Sequence, residues 1–589
     1  MELIHHEQLK LLVAKALETS YRSEQLGDNL LERLIVERPK DESFGDVAIP
    51  LFDFAKQLRL SPAVIAKQVV EQIKKVDSSV HVVALSGYVN FFWHKDAFTR
   101  EILSSMHEGF GQNESLSGEK IIVEFSGPNT NKPLHLGHMR NNVLGESLSR
   151  ILKNAGAELF KVNIVNDRGV HICKSMLAYQ MFGEGATPES TQTKSDHFVG
   201  DYYVKYAQWE KEHPEVENEI QAMLHAWEAG DAQVLELWKK MNHWAVSGIA
   251  QTYERTGVSF DKIYYESETY KLGKDIVLAG AQKGVFFKAE DGSLRLDVSE
   301  ITPEDKNSDE LPTKVFLRAD GTSIYITQDL GTAVARYEDF PFDRMIYVVA
   351  HEQRRHFEIL FYALDKMGYP WAKQLHHLSY GMVNLPDGKM KSREGTVVDA
   401  DDLLDTLTEQ ALLVSENAQR KADDGGKARA FDVALGALHY FLLQINPVKD
   451  MVFNAQESLS FTGNTGPYLQ YTYARIAGML RRSEARSLVE RFSQPNYTLL
   501  NHDVEWRLVK ILADFPAITQ KAALEYSPSV IAVYLYELSK QYNKFYTDLP
   551  IFKEDNLDVA AMRLLLSDKV RLVLKRGLEL LVIPVVEQM

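Results

Sequence analysis

The sequence predicts an α/β protein with a parallel-sheet core, a smaller α/β unit ahead of it and a helical C-terminal part. Three observations predict this. From Ile121 onward, apolar β-rich runs feed stretches of helical period, the alternation of a parallel sheet covered by helices. The segment before it, residues 1–115, carries helices and a strand pair of its own. Beyond the polar stretch KADDGGKA at 421–428 the chain is almost wholly of helical period.

In order, residues 6–19 and 61–75 show helical periods flanking FGDVAIPLFDFAKQL, and the alternating VHVVALSGYVNFFW reads as two strands. Residues 121–152, IIVEFSGPNTNKPLHLGHMRNNVLGESLSRIL, open with a buried strand bounded by the turn cluster Ser126, Gly127, Pro128 and Asn129. From about His135, Leu136, Met139, Val143, Leu144 and Leu148 recur at helical spacing. A strand therefore feeds a helix through a turn carrying HLGH. A second strand ends in NIVNDRG, at the crevice edge where α/β sheets bind ligands. From about Gly183 a polar loop, GEGATPESTQTKSD, leads into a long helical stretch rich in Trp and Tyr that reaches about Pro312. The sheet is expected to resume with KVFLRADGTSIYITQDLGTAVARY and then MIYVVAHEQRRHFEILFYALDKMG. YGMVNLPDGKMKSREGTVV places Lys389, Met390, Lys391, Ser392 and Arg393 in a glycine-bounded loop after a strand. The helices that close the chain include AFDVALGALHYFLL and GPYLQYTYARIAGMLRR.

The HLGH turn has a chemical use. A first helical turn presents unpaired N–H groups and a positive dipole end, which suit an anion. His135 and His138, three apart, leave the same face of it, and Gly137 removes a side chain where a base or ribose needs close approach. Together they make a nucleotide phosphate site. HxGH is a short pattern, and two histidines capping a surface helix is the bland alternative. The lysine-bearing loop at 388–393 is the second element: lysine is a compact mobile charge suited to a pyrophosphate leaving group. No GxxxxGK[ST] loop occurs in the chain.

Composition is that of a folded globular protein, 45% apolar and 25% charged, and the length implies several domains. A formal charge of −16 argues against general avidity for nucleic acid, so an RNA partner must meet local basic patches. The one cysteine, Cys173, excludes intramolecular disulfides and a multi-cysteine zinc site. No signal peptide or membrane-spanning run is visible, so a cytoplasmic protein with no membrane partner is expected.

HLGH followed far downstream by KMKSR resembles the two signatures of class I aminoacyl-tRNA synthetases. EFSGPNTNKPLHLGH, NDRG, HEQRRHF and NTGPYLQYTYAR each resemble the arginyl-tRNA synthetase version, and the likeness runs over essentially the whole chain. It implies a Rossmann-type catalytic domain over 116–400 with a connective insertion at about 183–312, too short for a hydrolytic editing domain. It also implies an N-terminal additional domain over 1–115 that contacts the tRNA D-loop, and a stem-contact and anticodon-binding helical bundle over 401–589. The implied reaction activates L-arginine with ATP and Mg²⁺ and transfers it to the 3′-terminal adenosine of tRNA(Arg), by a monomer and only with tRNA present.

The resemblance also supplies roles. His135, His138, Lys389 and Lys132 become the catalytic groups; His135, Gly137, His138, Met382, Lys389, Met390 and Lys391 hold ATP. Glu124, Ser126, Asn129, His138, Tyr325, Asp329 and Gln353 surround arginine. Tyr88, Asn90, Tyr468, Arg475, Tyr542 and the terminal Met589 meet tRNA, and no protein-held metal is implied. The second lysine of the usual loop is replaced here by Ser392, leaving Lys132, Lys391 and Arg393 as alternatives for pyrophosphate. On physical grounds a guanidinium wants carboxylates placed for forked bonds, and Tyr325 and Asp329, four apart, share a face if they enter a helix. Glu124 in an apolar strand calls for a cation, either the substrate or a structural Arg or Lys. Tyr468, Tyr471 and Arg475 share a helical face suited to unpaired bases, or simply to a core. The rivals are an acidic-substrate relative, disfavoured by Glu124 beside Asp329, a lysyl relative, whose substrate offers only a point charge and leaves acceptors unpaired, a catalytically silent RNA-binding protein, and a nucleotidyltransferase that never meets tRNA.

Overall fold

The computed structural model describes residues 2–26, 28–39, 41–78, 80–302, 312–385, 398–417 and 426–589. The chain divides into two compact units. The first holds residues 1–111, 476–518 and 537–573. In it, strands β1 (Val47–Pro50), β2 (His81–Leu85) and β3 (Tyr88–Phe92) form an antiparallel sheet in the order β1-β3-β2. The alternating VHVVALSGYVNFFW is thus the tight pair the sequence indicates, turned at Ser86 and Gly87, both with positive φ. Helices α1 (Glu2–Ser20) and α2 (Pro62–Val76) pack over it, burying Val13, Leu17, Ile65, Val69 and Ile73 against Ile49 and Phe91.

The second unit holds residues 112–475, 519–536 and 574–589. Its centre is a five-stranded sheet of β4 (Lys120–Glu124), β5 (Glu158–Val165), β6 (Lys262–Tyr265), β10 (Arg344–Ala350) and β11 (Leu375–Tyr380), in the order β11-β10-β4-β5-β6. Every pairing is parallel, so the strands must be joined by crossovers and buried on both faces. Ile121, Ile122, Val123, Met345, Ile346 and Val348 are accordingly at 0% exposure. The chain leaves β4 toward β5 and β6, then returns to place β10 on the other side of β4. The boundary between β4 and β10 is a topological switch point, where a crevice opens at the carboxyl ends.

Two expectations change. KVFLR, in β9 (Thr313–Leu317), does not resume the parallel sheet. It pairs antiparallel with β8 (Leu294–Asp297), which pairs with β7 (Phe287–Lys288), in a separate sheet. The turn after β9 folds straight back, with Leu317 bridging Ser323, and a strand without a crossover cannot join a parallel set. Conversely β6, inside the stretch read as an insertion, is an edge strand of the parallel sheet.

Helix α3 (Leu136–Asn154) follows β4 and packs on β4, β5 and β10. Its Gly145 lies so near Phe125 that an added Cβ would sit 2.2 Å from the ring. Helices α4 (Ser195–Glu212), α5 (Val216–Ala229) and α6 (Ala232–Thr256) form the Trp- and Tyr-rich stretch, around a core that includes Phe198, Tyr206, Met241 and Trp244. Helix α7 (Glu266–Gln282) follows β6, and α8 (Tyr325–Asp339) follows the small sheet. These two touch backbone to backbone: a Cβ on Gly273 would lie 1.7 Å from the Thr327 carbonyl oxygen, and one on Gly331 would lie 2.4 Å from the Gly273 nitrogen. Helix α9 (Arg354–Lys366) follows β10, and α10 (Ala400–Asn417) and α11 (Gly426–Leu443) begin the helical part. Helices Gly466–Leu480, Asp503–Leu524, Ser529–Asp548 and Leu557–Leu580 complete it.

The contact of α7 with α8 gives a direct test. Gly273→Ala must push the two helices apart, so it lowers stability by about 3 kcal/mol, as overpacking against rigid backbone does. Thermal unfolding beside the wild type measures this, and an unchanged midpoint would show that the close approach is absent.

Candidate active site

The HLGH turn is built as its residues dictate. His135 is the N-cap of α3, with Nδ1 accepting the Gly137 N–H at 3.1 Å. His138 Nδ1 accepts the His135 N–H at 3.2 Å. The rings lie 3.9 Å apart, centre to centre. The nearest neighbours of a Cβ on Gly137 are atoms of the His135 ring, at 3.0 and 3.1 Å. Glycine therefore leaves the folded-over imidazole its room, since a side chain would make the ring yield in part, a reason beyond the approach of a base or ribose. Both histidines are half-buried, and desolvation of each ring is the larger influence, with Lys132 adding to it and His135 acting also on His138. His135 is pushed down to about 4, and His138 falls well below the ordinary range. With Nδ1 an acceptor in each neutral ring, the proton sits on Nε2. The pair thus offers two uncharged N–H donors.

The end of β4 turns sharply. Ser126 takes φ of +82° and Gly127 +64°, and a serine there is held only by its surroundings. Asn141 of α3 accepts from the Ser126 N–H, Asn163 of β5 accepts from the Gly127 N–H at 2.9 Å, and Tyr253 of α6 bonds the Ser126 hydroxyl at 2.6 Å. Asn141 also donates to the Val348 carbonyl of β10 at 2.8 Å and to the Tyr380 hydroxyl of β11 at 3.1 Å. One carboxamide joins three strands at the switch point.

The crevice is a cavity of about 860 Å³. The structure brings together on its wall Glu124, Ser126, Lys132, His135, Gly137, His138, Tyr325, Asp329, Gln353 and Met382 of the sequence-derived set. Asn129 lines instead a neighbouring cavity of about 1070 Å³, which shares Asn166, Glu266, Tyr325 and Gln328 with the first. Lys389, Met390 and Lys391 lie outside the described residues, as do Ser392 and Arg393. The chain just before that segment, at Met382–Asn384, lines the cavity. The chain just after it pairs with the histidine turn: Leu136 N–H donates to Val398 O and Ala400 N–H to Leu134 O, each at 3.0 Å.

Glu124 meets a structural cation. Arg336 of α8, 2% exposed, forms an ion pair with it. Burial is the largest influence on the Glu124 carboxyl and holds it above the usual range, offset in part by Arg336 and reinforced by Asp329. Asp329 bonds His356 Nε2 at 2.6 Å. Tyr325 begins α8, as the spacing with Asp329 requires, and is 71% exposed.

Sequence reasoning missed Glu266, Gln328 and Arg140. Glu266 begins α7, is 5% exposed and lines both cavities. Burial pushes its carboxyl up to about 7, with Arg168 opposing and Asp329 and Asp167 adding. The Gly273–Gly331 contact brings it near α8, and no local pattern announces that. Gln328 presents a buried Oε1 with no hydrogen-bond partner on the same walls. Arg140 is buried and donates to the carbonyls of Gly381, Met382, Pro447 and Lys449, fixing the wall at Met382. Its position two residues past HLGH was the available signal.

Among the described residues, Asp196, His197 and Asp401 could converge on a metal ion. Lys194 already supplies a cation there, 2.9 Å from Asp196 and 2.8 Å from Asp401. Of the residues assigned to tRNA, Tyr88, Tyr468, Arg475 and Met589 are partly exposed. The Arg475 guanidinium lies 4.7 Å from the Tyr471 ring centre, as the shared helical face suggests. Asn90 is 3% exposed, with its amide directed at backbone carbonyls of its own hairpin. Tyr542 is fully buried beside Phe545.

Residues 7–93 match the family described as arginyl tRNA synthetase N terminal domain, 100–455 that of tRNA synthetases class I (R), catalytic domain, and 469–589 the DALR anticodon binding domain. The chain is 52% identical over 574 residues to the arginine–tRNA ligase of Treponema denticola, with 95% of each chain covered. It is 50% identical over 568 residues to that of Treponema pallidum, again with 95% covered. The solved arginyl-tRNA synthetase of Thermus thermophilus superposes with a TM-score of 0.82 at 26% identity, over 99% of both chains.

A histidine held neutral by burial contributes stability that is complete above its unfolded pKa near 6.5 and is lost as pH falls toward the folded value near 4. Between pH 6.5 and 4.5 the wild type is expected to lose about 2 kcal/mol more unfolding free energy than His135→Asn. Urea titrations at stepped pH read the difference, and parallel curves would mean that the ring is not buried and neutral.

Proposed function

The chain belongs to the class I arginyl-tRNA synthetase family, and on that premise we propose how its residues carry out the charging of tRNA with arginine. The observation that carries the reading is the charge of the crevice. Glu124, Asp329 and Glu266 line one cavity with Arg336 as the internal counter-charge of Glu124, which leaves room for the two cationic groups of free arginine. The guanidinium, planar and five-donor, is met by Asp329, Glu266 and Tyr325, with Gln328 Oε1 as a further acceptor. The α-amino end faces Glu124 and Ser126, with Gln353 and Asn129 completing the pocket. Lysine would present only a point charge and leave acceptors unpaired.

ATP lies over the HLGH turn, with Met382 and Gly137 at the nucleoside and the phosphates at the start of α3. The arginine carboxylate attacks the α-phosphate in line and pyrophosphate leaves. His135 and His138, neutral and donating through Nε2–H, stabilise the charge that develops on the phosphate oxygens. Lys132, whose ammonium burial holds below its usual range, adds positive charge at the same turn, and Lys389 and Lys391 supply the rest. A hydroxyl of the tRNA 3′-terminal adenosine then attacks the adenylate carbonyl, forming the ester as the anhydride bond breaks and AMP leaves with the hydroxyl proton passing to solvent or phosphate. The neighbouring cavity, with Arg168, Lys271, Lys274 and Arg318 on its wall and Tyr325 shared with the active site, suits the approach of that strand end. Neither step needs a protein nucleophile, so catalysis rests on positioning. Mg²⁺ enters as part of MgATP. The described carboxylates of the cavity face the substrate cation or are engaged by Arg336 and His356, so none of them is assigned to the ion.

On this reading 1–115 is the D-loop-contacting domain, 116–400 the catalytic domain with its insertion near 183–312, and 401–589 the stem and anticodon part. Tyr88, Tyr468, Arg475 and Met589 are its partly exposed tRNA contacts, and Asn90 and Tyr542, both buried, support them from within the fold. Among the described residues no helix is long and apolar enough to cross a membrane. The protein works in the cytoplasm as a monomer, which a sedimenting mass of two chains would overturn.

The deciding experiment is ATP–pyrophosphate exchange with each of the twenty amino acids, with and without bulk tRNA. Exchange with arginine alone is expected. Exchange with another amino acid would remove the pocket, and binding of tRNA with no exchange at all would leave only an RNA-binding role.

Two kinetic outcomes follow from Glu266. Glu266→Gln and Asp329→Asn each raise the arginine KM by about 10- to 100-fold, the worth of a charge-assisted bond. Because the free Glu266 carboxyl ionises near 7, arginine binds more tightly as pH rises from 6 to 8, and Glu266→Gln flattens that slope. An arginine KM with the same pH dependence in both proteins would take Glu266 out of the pocket.

A further inference from the structure

The histidine turn is held from a second side by a polar network that the proposed chemistry does not use. Asp401 lies at the start of α10 and is 5% exposed. Its carboxylate accepts from Lys194 at 2.8 Å, Thr252 at 2.8 Å and Arg255 at 2.5 Å. Lys194 precedes α4, and Thr252 and Arg255 belong to α6, so one carboxylate gathers two of the insertion's helices. Two residues earlier, Asp399 bridges His135 in antiparallel fashion, flanked by the Leu136–Val398 and Ala400–Leu134 hydrogen bonds. Asp399 and Asp401 cannot move independently: Asp399 Oδ1 accepts the Asp401 and Asp402 N–H groups at 2.8 and 3.1 Å. His197 Nε2 stands 3.4 Å from Asp399 and 3.7 Å from Asp401.

A second contact runs parallel to the first. A Cβ on Gly200 of α4 would lie 2.8 Å from Pro133 Cδ, so this helix also abuts the chain just ahead of HLGH. Glycine at 248 in α6 likewise gives room to Asp196, whose carboxylate holds Lys194. The insertion thus grips residues 133–136 at two points, one steric and one through a buried carboxylate with charged donors. Such a hub is rigid while every donor is satisfied and is disturbed by loss of its single charge.

We propose that Asp401 is a positioning residue for adenylate formation, holding residues 398–400 against Leu134–Leu136 so that His135 and His138 meet the α-phosphate in register. Asp401 touches no substrate and acts through the backbone pairing at His135. The proposal rests on the ATP-binding reading of the HLGH turn.

The test is ATP–pyrophosphate exchange by the full chain with tRNA present, comparing wild type, Asp401→Asn, Thr252→Val and Asp405→Asn. Asp405 is the other, exposed carboxylate of Arg255, 2.5 Å from it, and its loss leaves the 398–400 pairing intact. The expected result is a kcat lower by about 10- to 100-fold in Asp401→Asn with an arginine KM within about twofold of wild type, the signature of lost alignment rather than lost binding. Asp405→Asn matches wild type. Thr252→Val, which removes a neutral donor and keeps every charge paired, gives a smaller fall in kcat of about threefold and stands in if Asp401→Asn does not fold. An unchanged kcat in the folded variants, or an equal loss in Asp405→Asn, overturns the proposal. If the wild type itself gives no arginine-dependent exchange, the ATP reading of the turn fails first and this inference falls with it.

Discussion

The site depends on the carboxamide of Asn141. At the switch point β4 and β10 lie side by side while their chains depart in opposite directions, so the backbone groups at their carboxyl ends lose the partners a continuing sheet would give. Asn141 accepts from the Ser126 N–H and donates to Val348 O and to the Tyr380 hydroxyl. It satisfies groups whose burial without partners would cost on the order of 1–3 kcal/mol each. Because Asn141 stands one helical turn beyond His138, the same helix that fixes the strands apart also aims the histidines into the gap between them. Opening the crevice and arming it are one structural event.

That arrangement explains why the histidines are neutral. Burial under the cavity wall, with Lys132 close by, makes a second and third positive charge at the turn unfavourable. Neutral donors suit an anion that gains charge only in passing. A permanent imidazolium would bind ground-state ATP and the transition state alike, whereas an N–H dipole fixed by its own cap strengthens as charge develops.

Local pattern carried much of this into the sequence, and long-range packing carried the rest. The HLGH turn, the parallel strands and the Tyr325–Asp329 face were legible because period and turn residues fix them within a dozen positions. KVFLR was assigned to the main sheet because strand propensity says nothing of which sheet a strand joins, and β6 was hidden for the same reason. Glu266 was overlooked because it directly follows β6, the strand whose place in the parallel sheet was itself hidden. Glu124 announced that a cation was needed, and Arg336 answers that need from more than two hundred residues away. For Tyr542 and Asn90 the residue types were consistent with base contacts, but their burial is decided by neighbours in the fold. The lysine loop was the plainest motif after HLGH, and it lies outside the described residues.

The carboxyls of the crevice bear on selectivity. Glu124, Glu266, Asp329 and Glu352 line one cavity, against Lys132 on the same wall and Arg336 paired with Glu124, so acidic groups are in excess while the site is empty. Burial first, and the charges of Asp329 and Asp167 second, push the Glu266 carboxyl up to about 7 from the usual 4 to 5, with Arg168 opposing. A ligand bearing two positive charges offsets the excess, and one with a fork-shaped head offsets it with the most hydrogen bonds. An acidic or neutral amino acid leaves the excess in place and adds desolvation cost. On the proposed reading of the pocket, discrimination lies in this excess of acidic groups, which arginine, by its own chemistry, offsets.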